Sequence, residues 1–409
     1  MLGQASVPGA VILGNDFKAL GVVRSLGRRG IPSVVVDDFP RSAWYSRYVI
    51  RRCRWHGAMW GQPFVDFLLS LAQRDGLEGW VLFPLQDEVV EVVARHARQL
   101  ASTYRLVTQP WETLRWAHDK RLAYQVAGEL GISCPKTWYP AREDELNAIE
   151  IDFPAIVKPA VSIRLQYRIG RKVLVAADRS SLRSQYRAAL DIIEPEGIMV
   201  QEVIPGNGRS QYAVGAFCDE GRLVAGMTAR RTRQYPFDFG MSSSFVEAIE
   251  VPELLGLAER LVRRLRLTGM VEVEFKHDRR DGLYKLLDIN VRPWGWHTLC
   301  IASGLDFPYA VYRHALHQPV DLPAARYGRR WRRLLTDLAA GVQEVRHGWT
   351  TPSAYLRSLV GTSVPSVFDW RDPVPALADT AVCLARFLGS KRRHAPIVAD
   401  SRVIASSEG

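Results

Sequence analysis

Cysteine is scarce and scattered. The five present, Cys53, Cys134, Cys218, Cys300 and Cys383, share no paired spacing, which argues against a disulfide framework or a zinc cluster and for reduced thiols. No uncharged apolar run reaches the length of a membrane span. A basic–apolar leader is also missing at the N-terminus, so the expectation is a soluble, cytoplasmic chain without an integral membrane segment. Internal repeats and low-complexity tracts are absent. No Ser-His-Asp or Cys-His signature of covalent catalysis appears. The net charge of +11 and pI near 9.6 invite a nucleic-acid partner. However, the cations are spread along the chain and no basic run is interleaved with aromatics, so none is expected. What remains is ordinary globular composition, 47% hydrophobic and 24% charged over 409 residues, enough for about two or three domains.

The most informative stretch is Val271-Glu-Val-Glu-Phe-Lys-His277 followed by Lys285-Leu-Leu-Asp-Ile-Asn-Val-Arg-Pro293. The two runs flank Asp278-Arg-Arg-Asp-Gly282, whose Asp-Gly pair signals a hairpin. Strand side chains alternate, so Glu272 and Glu274 share one face, as do Asp288 and Asn290. An even register brings these oxygens together beside Arg292. Carboxylates repel on one face of a sheet, so folding alone gives no reason to gather them. Hard oxygen donors of this kind suit Mg²⁺ held against phosphate; a solvated hairpin face is the bland alternative.

Upstream, Ala10-Val-Ile-Leu13, a helix over residues 17–29 and Ser33-Val-Val-Val36 read as a parallel strand–helix–strand unit. Its glycines, only Gly14 and Gly21, do not complete a dinucleotide fingerprint, so an oxidoreductase is a poor reading. A second unit, Trp80-Val-Leu-Phe83, leads to a helix opening with Asp87 and Glu88. Those carboxylates complement the helix dipole, or alternatively face a ligand at the end of the sheet. Phe153-Pro-Ala-Ile-Val-Lys158 is an apolar strand with one lysine, which snorkels or contacts phosphate. Residues 162–170 read as a polar loop. A helix over residues 252–267 starts with Pro252 and stops before Gly269. From about residue 318 the pattern turns helical and basic, with Arg329-Arg-Trp-Arg-Arg333 and a terminal helix capped by Lys391-Arg-Arg-His394.

In this order the motifs resemble the ATP-grasp superfamily of ligases, over about residues 116–304. The shared motifs are Asp119-Lys120 at a helix start, the Val-Lys158-Pro strand, the Gln-Glu202 hinge and the acidic hairpin. Asp288-Ile-Asn-Val-Arg-Pro293 looks like the family's Glu-Ile-Asn-Pro-Arg, and the predicted ATP-dependent carboligases are the most similar subgroup. The resemblance implies an α/β chain in three parts. Residues 1–112 form a Rossmann-like pre-ATP-grasp domain and 113–318 an ATP-grasp domain with lobes 113–200 and 201–318. Residues 319–409 form a mainly helical extension. It further implies that Lys120 and Lys158 contact ATP phosphates, and that Glu202 with the backbone of Val203 and Ile204 binds adenine. Glu274, preferred over Glu272 because it precedes the strand's closing aromatic, would join Asp288 and Asn290 in holding Mg²⁺, with Mn²⁺ as a substitute. Arg292, assisted by Arg230 or Arg231, would steady the transferring phosphoryl group. The chain departs from the family in Asp288, one methylene shorter than Glu, in the glycine-poor loop 161–171, and in the missing acid at 206–210.

The expected activity is carboxylate ligation through an acyl phosphate, with small-molecule carboxylate and nucleophile substrates. This chemistry needs charge neutralisation and positioning more than a protein nucleophile. A homodimer is compatible with it. The rival is a catalytically degenerate nucleotide-binding regulator of the same fold. His297 is either a base or a packing residue beside Trp294 and Trp296.

Overall fold

A computed structural model describes residues 7–161, 172–237, 239, 242–361 and 363–390, with side chains of the last helix described to 385. The loop expected at 162–170, the glycine-poor cover of 161–171 beyond Val161, and Lys391–His394 lie outside these residues.

The described residues build three sheets. The first is parallel and contains β1 (Ala10–Leu13), β2 (Ser33–Asp37), β3 (Val49–Arg54), β4 (Val81–Pro84) and β5 (Arg105–Leu106), in the order β3-β2-β1-β4-β5. Every residue of β1 and β2 is buried, as expected where helices cover both faces of a parallel sheet. The helix Phe17–Gly27 begins where the Asp16 carboxylate accepts hydrogen bonds from the backbone N–H of Lys18 and Ala19. It ends two residues before the sequence-based limit, because the chain turns into Gly30 at φ 74°.

A small antiparallel sheet holds β6 (Thr137–Trp138), β7 (Ala155–Pro159), β8 (Leu174–Ala176) and β9 (Ile198–Glu202), in the order β6-β9-β7-β8. The large sheet contains β10 (Gln211–Asp219), β11 (Arg222–Tyr235), β12 (Ser242–Ala248), β13 (Gly269–His277) and β14 (Tyr284–Asn290), joined by β15 (Arg330–Arg332) and β16 (Ser363–Pro365). Its order is β14-β13-β10-β11-β12-β15-β16. The last two strands correct the helical reading of Arg329–Arg333: Trp331 is fully buried between the less buried Arg330 and Arg332, and it pairs with Val246. That alternation has the period of a strand. The rest of this C-terminal region is helical, with Leu334–Arg346, Pro352–Leu359 and Val374–Ser390.

One face of the large sheet shares a core with the N-terminal sheet, through Ala213, Phe217, Ala229, Trp294 and Trp296 packed with Ile12, Leu20 and Phe83. The opposite face packs Val214, Val273 and Phe275 against the helices Lys120–Glu129 and Pro252–Leu265. The latter helix stops at Leu265, with Arg266 in a left-handed C-cap at φ 51°. Two glycines are required by this packing. A Cβ on Gly215 would sit 2.3 Å from the Trp294 ring, and one on Gly21 would sit 2.4 Å from the His297 ring. Gly21 therefore serves helix-to-lobe packing. None of the helices in the described residues is long and apolar enough to cross a membrane.

Candidate active site

The acidic hairpin forms in the even register: Glu272 faces Asn290 and Glu274 faces Asp288 across β13 and β14. Asn290 Nδ2 donates to Glu272 (3.1 Å) and Glu274 (3.2 Å). Like charges on one face are tolerated because cations from four other segments converge on them. Lys120, at the start of its helix, lies 3.0 Å from Asp288. Arg231 from β11 pairs with Glu274 and donates to Ser243 Oγ at 2.7 Å. Lys158 on β7 and Lys172, just before β8, lie within electrostatic reach of Glu274 and Asp288.

Each group's proton affinity follows from this crowding. Burial opposes ionisation of Asp288, but the Lys120 ammonium prevails and holds the carboxyl below its ordinary range. Burial and the neighbouring Lys120 charge push Lys158 down to about 7, against the pull of Asp288 and Glu274. Burial, then the Glu274 charge, pushes Glu272 up to about 8. Glu272 also accepts a hydrogen bond from Trp296 Nε1 at 2.7 Å. It is thus a buried acid tied to the core, whereas Glu274 and Asp288 are more open, with side-chain exposures of 21% and 26%.

Arg292 follows the hairpin and donates through Nη2 to Asn290 Oδ1 (3.0 Å) and Asp87 Oδ2 (2.9 Å), with Nε on the other Asp87 oxygen. Asp87 is the first residue of the helix Asp87–Arg95, which follows β4 of the N-terminal sheet. Beside the dipole and ligand readings, the structure gives this residue a third role: its carboxylate forks onto Arg292 and clamps the N-terminal unit to the hairpin.

Other expected residues sit elsewhere. The Glu202 carboxylate accepts from the backbone N–H of Lys136 (2.8 Å) and from Arg280 Nη2 (2.8 Å) in the hairpin turn. The carboxylate thus ties the end of β9 to the segment before β6 and to the hairpin turn, and Val203 and Ile204 follow it in the chain. Arg230 is not brought to the cluster. Its guanidinium pairs with Glu247 at 3.0 Å, because neighbours on a strand point to opposite faces and Arg231 takes the cluster side. His297 is fully buried, its Nδ1 is 2.8 Å from Trp294 O, and burial lowers it to about 4. These features make it a packing residue. Lys172 is the residue that motif reading missed, whereas Asp87 was singled out at its strand's carboxyl end without its partner Arg292. For Lys172 the available signal was a cation next to a loop-flanked strand.

Among the described residues no group of three or more His, Cys, Asp or Glu is arranged to hold a metal ion. The candidate donor set is two carboxylates, Glu274 and Asp288, with the Asn290 carboxamide. That is a hard-oxygen set of the size used for Mg²⁺ when phosphate completes the coordination, so these residues fit such an ion.

A two-lobed sheet pair with lysines from the small sheet opposite an acidic hairpin of the large one is the ATP-grasp architecture, and the resemblance seen in the motifs holds for the fold. Residues 194–335 match a family described as ATP-grasp in the biosynthetic pathway with Ter operon. The D-aspartate ligase of Enterococcus faecium (strain Aus0004) is 22% identical over 311 residues, 72% of this chain and 74% of that protein. Among solved structures, the biotin carboxylase domain of Hydrogenobacter thermophilus 2-oxoglutarate carboxylase, in complex with MgADP, ADP and bicarbonate, superposes with TM-score 0.64 at 14% identity. The match covers 78% of this chain and 73% of that one. The L-amino acid ligase of Bacillus licheniformis gives 0.58 at 15% identity, over 79% and 78%.

Proposed function

We propose that this chain is an ATP-dependent ligase that activates a carboxylate and transfers its acyl group to an amine or similar nucleophile. The γ-phosphoryl group would pass to a carboxylate oxygen, releasing ADP. The nucleophile would then form the new bond to the acyl carbon as phosphate leaves. The observation carrying this reading is the convergence of Lys120, Arg231 and Arg292 on Glu274, Asp288 and Asn290. Lys120 and Lys158 would bind phosphates. Lys158, held near neutrality by burial, would gain its full charge as phosphate oxygens approach. Arg231 and Arg292 would stabilise charge developing on the phosphoryl group, Arg292 being oriented in advance by Asp87. The backbone of Val203 and Ile204 would meet adenine at a hinge held by Glu202. Glu274, Asp288 and Asn290 would hold Mg²⁺ or Mn²⁺, which when bound neutralises phosphate charge. Arg230, facing Glu247, has no part in this step.

A hydroxylamine trap tests the proposal: ATP, Mg²⁺, hydroxylamine and a panel of carboxylates. Aspartate belongs first in that panel, because a relative is a D-aspartate ligase. Carboxylate-dependent ADP and hydroxamate are expected. ATP binding with no hydroxamate from any acid would favour a second reading, a nucleotide-binding regulator. That reading is supported by the neutralisation of Glu274 and Asp288 by Arg231 and Lys120.

A further inference from the structure

Behind β11, on the side away from Glu274, an open cavity of about 350 Å³ is lined by Arg209, Arg230, Arg233, Arg330 and Arg357 with one carboxylate, Glu247. That volume suits a small-molecule ligand. Its back wall is rigid. Arg233 is buried, bonded to Asp337 at 2.8 and 2.9 Å and to Ser358 Oγ at 2.9 Å, and packed between the rings of Phe245 and Tyr355. The floor is Glu247, shared by Arg230 (3.0 Å), Arg330 (3.7 Å) and Thr232 Oγ1 (2.6 Å). Arg357 from the helix Pro352–Leu359 and Arg209 from the turn Gly208–Ser210 complete the mouth, both exposed. That turn is packed tightly against β11, since a Cβ on Gly208 would sit 2.8 Å from the Thr232 carbonyl.

The charges here do not cancel. Asp337 is taken by Arg233, and the Glu344 carboxyl near Arg209 is pushed up to about 7 by burial. Even with both counted beside Glu247, carboxylates are outnumbered by the five lining arginines. Arg230 Nε is buried without a hydrogen-bond partner among the described residues, so Glu247 satisfies this guanidinium only in part. The surplus of guanidinium groups around one shared carboxylate, in a concave recess walled by Phe245 and the Arg233–Asp337 pair, sets this site apart from a flat solvated charge face.

We infer that this cavity binds a small polyanion, carrying phosphate or several carboxylates, on the reverse side of the strand whose Arg231 meets the acidic hairpin. Guanidinium forks match both oxyanion types in geometry. The inference stands apart from the ligase proposal, because it rests on residues that proposal does not use.

Calorimetry on the full chain with inorganic pyrophosphate and with citrate tests it, using Arg209→Gln/Arg357→Gln as the diagnostic variant. Both replaced residues are exposed, and an unchanged melting temperature checks the fold. Saturable binding of at least one probe is expected, weakened about tenfold or more in the double variant. Tighter pyrophosphate binding assigns a phosphate-bearing ligand, and tighter citrate binding a polycarboxylate. The inference is overturned if neither probe binds or if the double variant binds as the parent does. It also fails if binding is lost in Lys158→Ala and kept in the double variant, since the probe then sits at the acidic hairpin.

Discussion

Replacing Asp87 by alanine removes the acid that fixes Arg292 from 205 positions away in the chain. The forked pair is mostly shielded, with side-chain exposures of 15% for Arg292 and 28% for Asp87. Breaking a fully buried pair by deleting one partner costs about 3–5 kcal/mol. Partial exposure lets water reach the stranded guanidinium, and Asn290 Oδ1 still accepts from it at 3.0 Å. A loss of about 2–3 kcal/mol is therefore expected in urea unfolding near neutral pH. The carboxyl is held far below its ordinary range: burial opposes this, but the Arg292 charge and hydrogen bonds outweigh it. A depressed folded pKa contributes stability above the unfolded value near 3.8 and loses it as pH falls through the folded value. The gap between parent and Asp87→Ala should thus be full at neutral pH and close only in acid below that value. Because Arg292 also loses its preset orientation, ADP formation should fall more than nucleotide affinity. A variant as stable as the parent at pH 7, with undiminished ADP formation, would refute the clamp.

Asp288→Asn keeps the side-chain shape but removes the charge paired with Lys120, and it should lower Mg²⁺-dependent ADP formation by about 10²–10³ in a coupled assay with the fold intact. Lys158→Ala should weaken ATP binding in a fluorescent-nucleotide titration without changing the unfolding midpoint, and unchanged affinity would remove Lys158 from the phosphate site. Gly21→Ala should destabilise by about 1–3 kcal/mol, because its Cβ would fall 2.4 Å from the buried His297 ring. Helix propensity alone predicts the opposite sign, so calorimetric melting decides between them. Burial lowers His297 to about 4 from the 6.5 of a free histidine. Stability should therefore decline as pH falls from about 6.5 to 4, where the unfolded chain takes up a proton that the folded one refuses. In His297→Asn that part of the pH dependence should vanish, as read from urea midpoints across the window.

Much of the frame was legible from local pattern. The apolar runs Ala10–Leu13 and Val34–Val36 around a helix announced a parallel strand–helix–strand unit, and the Asp-Gly turn with alternating acids pointed to the β13–β14 register. Both are properties of neighbours in the chain, where period and turn chemistry act directly. The arginine run at 329–333 misled because charge masked a period of two, and only Trp331 meeting Val246 across the sheet made it a strand. Which arginine serves the acidic hairpin was likewise undecidable from Arg230-Arg231 alone, since a one-residue shift exchanges the faces of a strand. The roles of Asp87, Glu202 and His297 depended on partners far away in sequence: Arg292, Arg280 and Gly21. By itself, then, the sequence determined the elements ahead of the C-terminal arginine run, the acidic hairpin and the lysines before it, through spacing and alternation. Tertiary structure alone decided which charges meet, because desolvation and pairing depend on segments that approach only once the cores have closed.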